Sequence, residues 1–181
     1  MTLESQFPAQ RFANEYGLVD GVAMHALHGD QFKIPPPVLK KHVDVGHFVE
    51  LRLDSPRFSV HEEDAAHCVC PSCQGEASQP ILSHEHPDSI APAPRPALPA
   101  RGWGEDFWVQ VTEREGAFFA GVVDNWLVES RLHGLQQGDT ILFRDDHLLA
   151  VHGSHRLQLV AQMDDADLKR LAEWLGEQHP E

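Results

Sequence analysis

A mostly β fold of the α+β class is predicted for this 181-residue chain: a small, strongly bent antiparallel sheet or barrel with a C-terminal helix and a zinc-knuckle insert. Three observations carry that expectation. From residue 105 to 151, short apolar runs alternate with turn signals at the spacing of an antiparallel meander. Beyond residue 163 the apolar period changes from that of a strand to that of a helix. Between an early strand and the meander, residues 55–101 gather cysteine, histidine, proline and acidic side chains with no sustained apolar period.

The elements follow in order. Residues 1–33 form an N-terminal segment in which Gly17, Gly21 and Gly29 forbid a long helix, though Met24 to Leu27 permit a short one. Pro37 can open a helical turn over 37–42, and Gly46 then marks the turn into a strand. In that strand Val49, Leu51 and Leu53 share one face, with Glu50 and Arg52 on the other. The meander supplies DFWVQV, AFFAGVV, WLVES, TILFR and HLLAV as strands, separated at Glu115-Gly116, Asp124-Asn125, Gly138-Asp139 and Asp145-Asp146. A β domain over 34–54 and 102–155 is thus expected, interrupted by the insert at 55–101 and followed by a C-terminal helical region, 156–181.

In that last region Asp164 or Asp165 can cap a helix whose Leu168, Leu171, Ala172 and Leu175 recur at i, i+3, i+4 and i+7, so that it would cover a face or open end of the sheet. Trp174 is expected in the core. VDVGHFVELRL at 43–53 and LQQGDTILFR at 135–144 echo one another, each with a glycine, a polar residue and an alternating strand. Two strands opening on the same kind of turn account for the echo, since glycine takes positive φ at little cost and a polar side chain can bond the turn backbone.

All three cysteines lie in the insert. Cys70 and Cys73 have the spacing that aims two thiolates to one side of a tight turn, Cys68 lies two positions upstream, and His84 and His86 return soon after. Zinc requires four ligands in a closed structural site, and Cys68, Cys70 and Cys73 with His84 or His86 can supply them; His67 is a further candidate. So little apolar material could not build its own core, and a bound metal would replace that burial. A catalytic reading pairs His61 and Glu63 with the cysteines in a zinc hydrolase or deaminase, but the two motifs stand too close together for the deaminase arrangement. A third reading makes the cysteines a redox or metal sensor. His25-x-x-His28 and His152-x-x-His155 also have chelating spacing, although surface histidines explain them as well. Pro87, Pro92, Pro94, Pro96 and Pro99 make the end of the insert a semi-extended polyproline tract.

The order of motifs resembles a bacterial family, the YegJ-like domain of unknown function. The matching positions are Ile34-Pro35, Val45-Gly46, Phe107-Trp108-Val109, Gly121 with Asn125, and Gly134-Leu135 followed by Gly138-Asp139 and Phe143. The resemblance covers about 75 residues in two blocks. It implies a compact, mostly β fold and brings no established activity; the family pattern joins the first strand almost directly to the second, so the cysteines fall in an addition to it.

A formal net charge of −14, from 28 acidic against 14 basic residues, disfavours nucleic acid and anionic membrane surfaces as partners and favours a basic protein. No run approaches the length of a membrane span, the N-terminus lacks a signal-peptide pattern, and the clustered thiols suit a reducing compartment, so a cytoplasmic location is expected. Together these features predict a non-enzymatic binding or regulatory module, of the immunity type that neutralises a partner protein. Phe118, Phe119, Trp126 and the insert are its candidate surface.

Overall fold

The computed structural model describes residues 1–59 and 102–178, and within them a strongly curled antiparallel sheet forms a half-barrel. Its strands are β1 (Gly17–Leu18), β2 (Phe48–Ser59), β3 (Gly102–Glu115), β4 (Phe118–Val123), β5 (Thr140–Arg144) and β6 (Ala150–Val151). The order is β1-β2-β3-β4-β5, and β6 pairs with β2 at Val49 and Glu50, next to β1 along the same edge. Helices α1 (Leu3–Gln6), α2 (Gly21–His28), α3 (Pro37–Lys40), α4 (Ser130–His133), α5 (Arg156–Ala161) and α6 (Asp165–Gln178) surround it.

The alternation read in β2 is the alternation of the core. Val49, Leu51 and Leu53 are fully buried, and in antiparallel register they meet Val109, Phe107 and Glu105 of β3. Phe119 of β4 and Phe143 of β5, which are register partners, stack with ring centroids 5.3 Å apart. A register shift between Val111 and Glu113 bulges β3, and such a bulge bends its strand and strengthens the local twist. The β3–β4 hairpin turns at Gly116, whose φ of +62° is what a tight turn demands at its first central position.

The echoed motifs are one turn used twice. Gly46 and Gly138 have φ of +90° and +89°. In the first turn His47 Nδ1 accepts from the Asp44 amide at 2.9 Å; in the second Asp139 Oδ2 accepts from the Gln136 amide at 2.8 Å. A polar side chain thus closes each turn from the same position.

Several expectations are corrected. The segment 126–130 is not a strand, although it does alternate: Leu127 and Glu129 are buried while Trp126 and Val128 are exposed. Of 147–151 only Ala150–Val151 pairs as strand, because residues 145–147 wind into a 3-10 turn. The C-terminal helix is present, capped by Asp164 Oδ1 on the Asp167 amide at 2.8 Å, and its main packing partner is α3. Asp167 is its buried residue, accepting from Lys41 Nζ at 2.6 Å and from His42 Nε2 at 2.9 Å. Those hydrogen bonds, Lys41's first, hold the Asp167 carboxyl below its ordinary range. Anchoring at Asp167 rotates the helix, so Leu168 and Leu175 remain exposed, while Trp174 is half-buried and outside the core. β2 also runs past residue 54, the boundary expected for the first block.

Candidate functional site

Between β4 and α4 the chain leaves the sheet as a six-residue loop, 124–129, whose backbone is held by hydrogen bonds at both ends. The Asp124 amide donates to the Trp108 carbonyl at 2.8 Å, and the Trp108 amide donates to Asn125 Oδ1 at 2.6 Å. Asn125 therefore fills the ladder position that β4 has vacated. Asn125 Nδ2 donates onward to the Trp126 carbonyl at 2.9 Å.

Glu105 of β3 holds the other end. Its Oε1 accepts from the Val128 amide at 2.7 Å and its Oε2 from the Glu129 amide at 2.9 Å. This explains why 126–130 alternates without being a strand: one carboxylate takes amide protons that a neighbouring strand would otherwise take.

Beneath the loop lies a polar network. His133, at the end of α4, reaches Glu105 Oε2 through Nε2 at 3.4 Å, while its Nδ1 accepts from the Leu135 amide at 3.0 Å. A ring whose Nδ1 is an acceptor and whose Nε2 faces a carboxylate is the neutral Nε2–H tautomer. Burial holds the His133 pKa below its ordinary value, against the pull of Glu105 and Glu129. Tyr16 donates its hydroxyl to Glu129 Oε2 at 3.2 Å; burial, and then the Glu129 charge, push the phenol well above its usual pKa.

Asp54, only 8% exposed, is close enough for its charge to act on Tyr16 as well. Burial pushes its carboxyl from 3.8 up to about 6, opposed by Arg52 and reinforced by Asp106. The folded state thus holds this proton more tightly than the unfolded chain, so stability declines as pH rises from 3.8 to about 6 and stays lower above that. Asp54→Asn is expected to raise stability at pH 8 by roughly 2 kcal/mol and to change it little at pH 4. Urea midpoints of both proteins at the two pH values check this; an equal gain at both would refute it.

What the braced loop displays is Trp126, 73% exposed, and Val128, 62% exposed, with the exposed Asp124 beside them. A single exposed apolar residue is ordinary in proteins. An indole and an isopropyl group on a backbone already fixed by hydrogen bonds are better suited to binding, because a partner that covers them has little loop entropy left to remove. Chemically the arrangement can dock an apolar pocket with a cationic rim.

The other expected surface residues part company with Trp126. Phe119 is fully buried beside Phe143 of β5, and Phe118 is half-buried with its ring 5.8 Å from Phe7, so the pairing of Phe119 with the surface is overturned. The expected zinc ligands Cys68, Cys70, Cys73, His84 and His86, together with His67 and the alternative pair His61 and Glu63, lie outside the described residues. Among the described residues no group of three or more His, Cys, Asp or Glu side chains is placed to hold a metal ion, and no helix is long and apolar enough to cross a membrane.

Of the chelating pairs, His25 spends Nδ1 on the Phe32 carbonyl at 2.7 Å. His155 stacks half-buried on Phe48 at 5.7 Å, while His152 is exposed with Ser154 Oγ on its Nδ1 at 2.8 Å. The Glu105, Glu129, Tyr16 and His133 network was not foreseen from the sequence. Only the alternation at 126–129, with its acidic inward position, hinted at it. No protein-family model matches the chain, and comparison with curated proteins and with solved structures gives no match.

Proposed function

We propose that this protein is a non-enzymatic bacterial binding module of YegJ-like type, which engages a basic protein partner through the loop that presents Trp126. The observation that carries this reading is the 73% exposure of Trp126 on a backbone fixed at both ends by hydrogen bonds. The net charge of −14 supports the sign of the partner and a role that neutralises it, as an immunity protein does. Indole side chains at the centre of an interface are frequent sites of concentrated binding energy, and surrounding acidic residues would steer a cationic partner toward this one. Interaction in the cytoplasm, and a structural zinc held by Cys68, Cys70 and Cys73 with His84 or His86, belong to the same proposal. Zinc content of the purified protein, with and without Cys70→Ser, tests the metal.

Trp126→Ala tests the surface. It is expected to weaken a partner that co-purifies with the wild-type chain by about thirtyfold, since a central hot spot contributes about 2 kcal/mol or more, and to leave the melting temperature unchanged. Binding should also weaken as salt is raised. Undiminished binding by the variant, or a partner that is itself acidic, would remove the proposal.

A further inference from the structure

A second feature shares no residue with the Trp126 loop. Helix α2, the proline run leading into α3, the β3–β4 turn and the end of α6 line an open-sided cavity of about 640 Å³, within the range of roughly 300–1,000 Å³ common for small-molecule sites. Its apolar side is built from Val22, Ile34, Pro35, Pro37 and Trp174.

Its charges contrast with the rest of the molecule. Lys33, Lys40, Lys41 and Arg114 line the cavity against Asp145 and Asp146. Lys41 is engaged by Asp167, and Asp146 is engaged by Arg144. That leaves Lys33, Lys40 and Arg114 facing Asp145, three cations against one anion, in a chain whose net charge is −14.

Lys40 is the most telling of these. It is 7% exposed, and its Nζ donates to the Asp145 main-chain oxygen at 2.9 Å. Among the described residues no carboxylate lies within ion-pair distance of it, although an ammonium carries three donors and is costly to bury without an anionic partner. Burial lowers its pKa, and the more distant Asp145, Asp146 and Asp20 pull in the opposite direction. Arg114 is held in the same way: Nη1 donates to the carbonyls of Lys41 at 2.9 Å and Val43 at 2.5 Å, and Nε to that of Gly116 at 3.2 Å. Neutral carbonyls orient both cations without cancelling their charge. Such groups stay available to an incoming anion, whereas an ion pair would not.

We propose that this cavity binds a small organic acid with an aromatic body, its carboxylate held by Lys40 and Arg114 and its ring laid against the proline run and Trp174. The amphipathic ligand follows from the lining, which combines Lys33, Lys40 and Arg114 with the apolar surfaces of Val22, Ile34, Pro35, Pro37 and Trp174. Lys33, on the exposed side, supplies long-range attraction.

Titration of the full chain with 2-naphthoate and with its neutral analogue 2-naphthamide, followed by calorimetry, tests the proposal. Naphthoate is expected to bind saturably at one site, and the amide about tenfold more weakly, the size of a lost charge-assisted hydrogen bond. Lys40→Met, which keeps the packing volume and removes the charge, should weaken naphthoate by about tenfold and leave the amide unaffected. Val22→Glu, at a rim position 49% exposed and therefore tolerant of substitution, should weaken naphthoate through repulsion. Equal affinity for acid and amide, indifference of naphthoate binding to both substitutions, or no saturable binding in the millimolar range would each overturn the assignment.

Discussion

Phe119→Ala is expected to lower the free energy of unfolding by about 3–5 kcal/mol, the cost of removing a fully buried phenylalanine from a close-packed core. The ring lies at the centre of the half-barrel, stacked on Phe143 at 5.3 Å and covered on another side by the Arg114 guanidinium, 5.3 Å from its centroid. Truncation removes the transfer term of the ring, leaves a cavity, and strips the stacking partner from Phe143 and the cation–π partner from Arg114. Phe118→Ala, one residue away on the opposite face of β4, should cost much less because that ring is half-buried. Urea denaturation of the two variants measures the difference directly. Similar losses for both would mean that the two rings do not lie on opposite faces of β4.

Gly121→Ala should also be strongly destabilising, by about 2–3 kcal/mol, although alanine is ordinarily the better residue in a regular element. A Cβ built at Gly121 would stand 2.4 Å from Val109 Cγ1 and 2.7 Å from the Gln110 main-chain oxygen. The valine could turn, but the carbonyl belongs to the β3 backbone and can give way only if the strand moves. Gly121 is paired on both sides, with Val111 of β3 and Ile141 of β5, so that movement would propagate across the ladder. Gly17→Ala provides the control, because a Cβ there meets no atom within 4 Å. Thermal melts should separate the two by several degrees, at about 2–4 °C per kcal/mol for a chain of this length. A Gly121→Ala protein as stable as the control would show that the β3 backbone does not crowd position 121.

How much of this was legible in the sequence depended on the range of the cause. Turns were legible because their chemistry is local: Gly46, Gly116 and Gly138 need positive φ, and His47 and Asp139 reach only three residues back to close their turns. The inward face of β2 was legible because a period of two along one segment survives whatever lies opposite. The misassigned strand at 126–130 shows where that reasoning stops. Its alternation is real, but alternation reports burial and not the identity of the hydrogen-bond acceptor, and here the acceptor is Glu105, more than twenty positions earlier in the chain. The C-terminal helix teaches the same lesson: its leucine stripe predicted the buried face, yet an ion pair between Asp167 and Lys41 turned another face inward.

By itself, then, the sequence determined a curled antiparallel sheet with a C-terminal helix, its turns, its overall charge, and the residue types from which a partner surface and a metal site can be proposed. Only the tertiary structure decided which of three neighbouring aromatics is available to a partner, separating the exposed Trp126 from the buried Phe119 and the half-buried Phe118. It alone gathered Lys40, Arg114 and Trp174 around one cavity from three distant parts of the chain. Backbone preference and hydrophobic period act over a few residues, whereas exposure, desolvation and the meeting of charges depend on which segments the fold brings together.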